Sequence, residues 1–163
     1  MPNKITKKQV LAFLKRHQNA AIATVTPQGK PEVANIYYGI DNRFHLYFPT
    51  GTLSRKFKNL SKNPHVALSV TDPKKLITVQ MEGVARITYS TAKDAHIVQT
   101  LAKVLTPTLR EVLDRLWDPV PPVIKMKNGK LAILEVQIKW VRFADFSLPP
   151  KTVNGQYYQI VKL

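Results

Sequence analysis

Residues 20–48 contain three apolar runs separated by connections too short to be anything but turns. Ala20 to Val25 reads as a strand, and Thr26-Pro27-Gln28-Gly29 is a turn by composition. Pro31 to Tyr38 returns, and Asp41-Asn42 turns the chain again into Phe44 to Phe48. Three strands with tight turns make an antiparallel meander. Further strands are expected at Val66 to Val70 and, after a turn at Asp72-Pro73, at Leu76 to Tyr89. Gly83 lies in the middle of that long run and predicts a bulge or sharp bend, the device by which barrels close. Leu131 to Phe143 reads as one or two more strands.

Helices punctuate this pattern. Residues 5–16 carry a complete start signal: Thr6 as N-cap, Gln9 closing a capping box, and Ile5 and Val10 spaced as a hydrophobic staple. Val10, Leu11 and Leu14 form its expected apolar face. A short helix is expected from Ser54 to Leu60, a longer one from about Ala92 to Leu105 behind Thr91, and another from Pro107 to about Trp117. The residues alone reach an antiparallel barrel or sandwich with added helices. A closed six-stranded antiparallel barrel with peripheral helices fits best, as one domain over residues 1–146. Residues 147–163 form a tail in which Asn154-Gly155 signals a hairpin turn; the expectation is a short hairpin or a contact to a dimer partner or ligand, with a poorly ordered end as the alternative.

The chain of 163 residues contains no cysteine, which excludes disulfides, thiolate catalysis and Cys-ligated metals and fits a reducing cytoplasm. Its start, MPNKITKKQV, lacks the apolar core of a signal peptide, and no segment approaches the ~20 apolar residues of a membrane helix. The net charge is +15, with five cations and no acid in residues 1–16 and six cations against Asp72 in residues 54–75. Such a field attracts nucleic acid, anionic membrane and phosphorylated small molecules without choosing among them. Aromatics do not interleave with the cations as a single-strand platform requires, which argues against nucleic acid. The four histidines show no metal-ligand spacing, so no metal site is expected, and no general acid/base pair stands out.

Chemistry concentrates in Tyr47-Phe48-Pro49-Thr50-Gly51-Thr52-Leu53-Ser54-Arg55-Lys56. An apolar run stops at a proline, hydroxyls follow, and two cations stand at the start of a short helix. Hydroxyls, backbone N–H groups, an arginine fork and a lysine charge together suit a phosphate monoester. The plain structural alternative is a turn, an N-capped helix and a solvated basic face.

The stretch continues Phe57-Lys58-Asn59-Leu60-Ser61-Lys62-Asn63-Pro64-His65-Val66-Ala67. It is preceded by Ala23-Thr24-Val25-Thr26-Pro27-Gln28-Gly29-Lys30-Pro31 and followed by Glu82-Gly83-Val84-Ala85. In this order and spacing the segments resemble the pyridoxamine 5'-phosphate oxidase-like family, the FMN-binding split barrels, over about residues 5–146. The resemblance implies a split barrel and a homodimer with FMN at the subunit interface. It implies that Arg55, Lys56, Thr50 and Ser54 hold the phosphate, and that the backbone of Val33, Ala34, Asn35 and Ile36 runs along the ring. Gln80 would reach flavin held by the partner. Against these stand a strand in which Asn35 is merely exposed, a Ser54 that simply caps, and a Gln80 that is only a solvent-facing polar residue.

Departures narrow the activity. True oxidases of this family carry an arginine near Glu32, and a carboxylate there repels phosphate. They also carry a C-terminal Arg-x-His motif, whereas residues 140–163 contain no histidine. Vitamin B6 oxidation is therefore not expected, and the missing histidine also argues against the haem-degrading branch. The expected function is an FMN-dependent oxidoreductase of a small molecule, with a nicotinamide such as NAD(P)H or a deazaflavin as electron partner. The alternatives are an F420-dependent reductase of the same fold and a non-catalytic flavin carrier or redox sensor.

Overall fold

A computed structural model describes residues 4–88, 125–126, 129–147 and 158–163. Helix α1 (Lys7–Arg16) begins as its sequence dictates: Thr6 Oγ1 accepts from Gln9 N, and Gln9 Oε1 accepts from Thr6 N at 2.9 Å. Its inward face is Val10, Phe13 and Leu14, so Phe13 takes the buried place expected of Leu11, which is only partly covered. Strands β1 (Asn19–Val25) and β2 (Pro31–Tyr37) pair over their whole length around a turn in which Gly29 adopts φ +82°. The remaining elements are β3 (Gly39–Ile40), β4 (His45–Gly51), α2 (Arg55–Leu60), β5 (His65–Asp72), β6 (Ile77–Thr88), β7 (Lys125–Met126), β8 (Gly129–Asp145) and β9 (Tyr158–Ile160).

All sheet pairings given for these strands are antiparallel, and the main path runs β2-β1-β5-β6-β8-β4-β3. Its two ends, β2 and β3, are separated in sequence by Tyr38 alone. The sheet therefore curls until its first and last strands meet at that residue. The Tyr38 hydroxyl, pushed above the ordinary phenol range by burial, donates to Leu14 O and His17 O and ties the junction to the end of α1. Six long strands carry this mainly β split barrel, and β3, β7 and β9 are short additions. The core lies inside the curl, where Ile22, Leu46, Phe48, Val79, Leu134 and Val136 are each buried.

Gly83 sits where the β6–β8 register shifts, between Glu82 and Gly83. A Cβ there would lie 2.7 Å from both Gln137 O and Val136 Cγ1, so the two strands cross too closely for any side chain. The expected bend is present for that reason.

Two expectations, both about β4, need correction. The apolar run does not stop at Pro49: β4 continues to Gly51, pairing Pro49 with Ile133 and Thr50 with Ala132. Ile138 N donates to Phe44 O, which sets the alternation of the ladder and turns the nitrogen of Pro49 away from β8. On that other side β3 has already ended, so the proline forfeits no ladder bond. Phe44 belongs to the preceding turn, at φ +63°. Leu131 to Phe143, expected as one or two strands, is one, within β8. In the tail, β9 pairs with β8 from Arg142↔Ile160 to Ala144↔Tyr158, and Val161 is buried. The two helices expected between Ala92 and Trp117, and the Asn154-Gly155 turn, lie outside the described residues.

Candidate functional site

The expected site residues fall into two groups. The first lies where β4 runs into α2. Ser54 caps α2, accepting from Phe57 N at 3.2 Å, and its hydroxyl is 3.0 Å from that of Thr50, which is buried. The capping role foreseen as the alternative for Ser54 is therefore real. Arg55 and Lys56 follow on successive helix positions about 100° apart, and their surroundings differ. The Arg55 side chain is 81% exposed and reaches Glu32 Oε1 at 3.0 Å. Lys56 is half-buried, and burial holds its ammonium below the ordinary lysine pKa. Among the described residues no carboxylate lies within ion-pair distance of it.

Sequence reasoning anticipated Glu32 as a departure but not its partners. Its second oxygen accepts from Asn59 Nδ2 at 2.9 Å, and the same nitrogen donates to Thr24 Oγ1 at 3.1 Å. Asn59 and Thr24 are both buried. A carboxylate from β2, an amide from α2 and a hydroxyl from β1 thus lock the helix to the barrel end. The available signal was Asn59 itself, a polar residue beside Leu60 on the inward face of a short helix.

The second group lies on the outer face of the sheet. Asn35, Ala21, Ser69, Gln80 and Arg142 are successive partners across β2-β1-β5-β6-β8. Val33, Ala23, Ala67, Glu82 and Trp140 form the neighbouring row in the same way. Small side chains in the middle of each row leave two shallow hollows of about 440 and 470 Å³ that share Ala23, Ala67 and Glu82. Val33 is 69% exposed and Asn35 is also exposed, whereas Ala34 and Ile36 turn inward and can offer a ligand only their backbone. Gln80 accepts a hydrogen bond from the Arg142 guanidinium, which lies 4.9 Å from the Tyr158 ring and 6.0 Å from that of Trp140. The structure thus joins Val33, Asn35 and Gln80 on one face and Thr50, Ser54, Arg55 and Lys56 at one end. Glu32, next to Val33 but on the opposite parity of β2, stands between the two groups.

A third cluster was not foreseen. Glu135 is buried in the apolar run of β8, and its carboxylate accepts from Arg86 at 2.7 and 3.0 Å. His45 Nδ1 lies 3.3 Å from its other oxygen. Among the described residues no group of three or more His, Cys, Asp or Glu side chains is placed to hold a metal. No described helix is long and apolar enough to cross a membrane.

A family model for pyridoxamine 5'-phosphate oxidase matches residues 6–145. The chain belongs to the pyridoxamine 5'-phosphate oxidase family. Solved structures agree on the fold. A pyridoxamine 5'-phosphate oxidase-related, FMN-binding protein of Nostoc punctiforme superposes with a TM-score of 0.63 at 17% identity, over 94% of this chain and 91% of that one. An F420 reductase does so with a TM-score of 0.59 at 23% identity, over 80% and 93%. The haem storage protein HutZ of Vibrio cholerae gives 0.61 at 14% identity, over 82% and 91%. None of the curated proteins matches this sequence. Proteins that share this fold therefore include an FMN binder, an F420 reductase and a haem storage protein.

Proposed function

We propose that the chain is an oxidoreductase of a small molecule that holds a flavin-type cofactor, FMN or the deazaflavin F420, by its phosphate. Lys56 carries the reading. A half-buried ammonium with no described carboxylate partner is costly unless an anion completes it, and it follows an exposed arginine fork in the chain, on the short helix that Ser54 caps with its hydroxyl 3.0 Å from that of Thr50. The residues present suit a phosphate. They suit a ring as well: among the described residues β2 ends the sheet path and pairs only with β1, which leaves one backbone edge at Val33–Ile36 for the polar rim of a flavin.

When bound, the ring supplies the redox step, while the protein binds and orients it. In this reading Lys56 and Arg55 fix the phosphate, the β2 backbone aligns the ring, and the outer face packs on a second copy. Gln80, steadied by Arg142, then faces the cofactor of that partner. The electron donor is NAD(P)H or reduced deazaflavin, in a reducing cytoplasm. In this reading Glu32, a carboxylate where the resemblance leads one to expect an arginine, speaks against pyridoxamine 5'-phosphate as the substrate. The F420 reading has its own support in Glu32, which lowers the positive charge available to a phosphate.

The test is an absorption spectrum of the purified protein, followed by titration of FMN and riboflavin into wild type and Arg55→Ala/Lys56→Ala. Two charge-assisted contacts at about 1.5–3 kcal/mol each predict a loss of at least roughly 100-fold for FMN and little change for riboflavin. Equal FMN affinity in both proteins would overturn the proposal. Steady-state oxidation of NADH or NADPH with an acceptor separates an enzyme from a passive carrier.

A further inference from the structure

We infer that Glu32 is the specificity-determining residue of the anion site, setting its charge to suit a singly charged phosphodiester rather than a doubly charged phosphomonoester. The inference rests on the reading that Arg55 and Lys56 receive a phosphate. It goes beyond that reading by naming which kind of phosphate.

The argument starts from how firmly the carboxylate is held. One oxygen lies 3.0 Å from the Arg55 guanidinium and the other accepts from Asn59 at 2.9 Å. Asn59 is itself buried and bonded to Thr24, so it cannot follow the carboxylate outward. The Glu32 side chain is 17% exposed against 81% for Arg55. In this pair the arginine is the movable member and the glutamate the fixed one. A ligand that reaches the open side of the guanidinium therefore binds with Glu32 still in place.

Charge then decides. Arg55, Lys56 and Glu32 sum to a single positive charge. A phosphomonoester carries nearly two negative charges at pH 8, because its second pKa is about 6. Its added charge would stand against a carboxylate that the fold does not release. A phosphodiester carries one charge and leaves the site neutral. The phosphate of F420 is a diester, whereas that of FMN is a monoester, so the class favoured is a deazaflavin or flavin whose phosphate is esterified twice.

The experiment uses three probes with one ring: FMN, riboflavin 4',5'-cyclic phosphate and riboflavin. Dissociation constants are measured at pH 8 by fluorescence for wild type, Glu32→Gln and Arg55→Ala/Lys56→Ala. Glutamine keeps an acceptor for Asn59, so the helix stays anchored. Wild type should bind the cyclic ester at least as tightly as FMN. Coulomb repulsion scales with ligand charge, so Glu32→Gln should tighten FMN by about ten-fold and the cyclic ester by about three-fold, with riboflavin unmoved. A wild type that prefers FMN to the cyclic ester by more than ten-fold overturns the inference without any variant. So does a Glu32→Gln protein whose ratio of the two affinities is unchanged while the double variant loses both phosphorylated probes. If the double variant loses neither probe, the phosphate reading itself has failed and the inference falls with it.

Discussion

Replacing Asn59 by alanine tests whether the barrel end and the candidate site are one structure. The amide donates to Glu32 at 2.9 Å and to Thr24 at 3.1 Å from a buried position. A hydrogen bond to a charged acceptor contributes about 1.5–3 kcal/mol and a neutral one about 0.5–1.5 kcal/mol. The Thr24 hydroxyl can rotate to another acceptor, and Glu32 keeps Arg55 and some water, so the full sum will not be lost. We expect Asn59→Ala to cost about 2–3 kcal/mol. In a chain of 163 residues that corresponds to roughly 4–12 °C in Tm. Urea denaturation at fixed protein concentration should show a lower midpoint with an unchanged slope. The decisive step is the cycle with Glu32→Gln, in which a neutral acceptor replaces the charged one. The cost of Asn59→Ala should fall by about 1 kcal/mol in that background. A cost under ~0.5 kcal/mol, or one identical in both backgrounds, would show that the amide does not hold the carboxylate.

Two further outcomes follow from the fold. Gly83→Ala should cost about 1–3 kcal/mol, because its Cβ meets a backbone carbonyl at 2.7 Å. Gly29→Ala, at φ +82° with nothing within 4 Å of the added carbon, should cost roughly 1–2 kcal/mol from backbone strain alone; a Gly83→Ala cost under ~0.5 kcal/mol from urea midpoints would contradict the close crossing of β6 and β8. At alkaline pH, burial first, then Asp41 and Glu135, push the Tyr47 hydroxyl up to about 12. An unfolded tyrosine titrates near 10, so between pH ~10 and ~12 the folded state binds more protons than the unfolded one. This stabilisation is complete below pH ~10 and is lost as the pH rises towards 12. Midpoints measured at pH 8, 10 and 11 should fall more steeply for wild type than for Tyr47→Phe, and parallel slopes would remove Tyr47 as the cause.

What was legible in the sequence was local, or was written as a chemical exception. The Thr6–Gln9 box spans three residues, and both partners are visible at once. Gly83 is legible because a glycine inside a long β-run has few reasons to be there. Pro49 misled because a proline reads as a strand end, whereas its tolerance depends on which side of β4 faces β3, a fact of pairing rather than of composition. The docking of the tail was also a fact of pairing: Val161 is buried where β9 finds β8. The ties Asn59–Glu32 and Arg86–Glu135 join residues 27 and 49 positions apart, and no local pattern announces either. Glu32 was noticed only because a carboxylate looked wrong for a phosphate. That oddity drew attention to the residue but did not announce its salt bridge with Arg55 or its hydrogen bond from Asn59.

Arg55 and Lys56 show why charge counting along the chain goes no further. They are neighbours in a protein of net charge +15, and nothing in the sequence distinguishes their surroundings. One helical step separates an exposed guanidinium already paired to Glu32 from a half-buried ammonium with no described carboxylate. The general excess of lysine and arginine raises the concentration of any anion at the surface and discriminates among none of them. Discrimination requires a charge that opposes the excess and cannot move aside. The chain has ten acidic residues, and one of them is fastened by a buried asparagine beside the cations best placed for a phosphate. If the proposed phosphate site is real, its selectivity should therefore respond more to removing that single negative charge than to removing one of the many surface positive charges elsewhere.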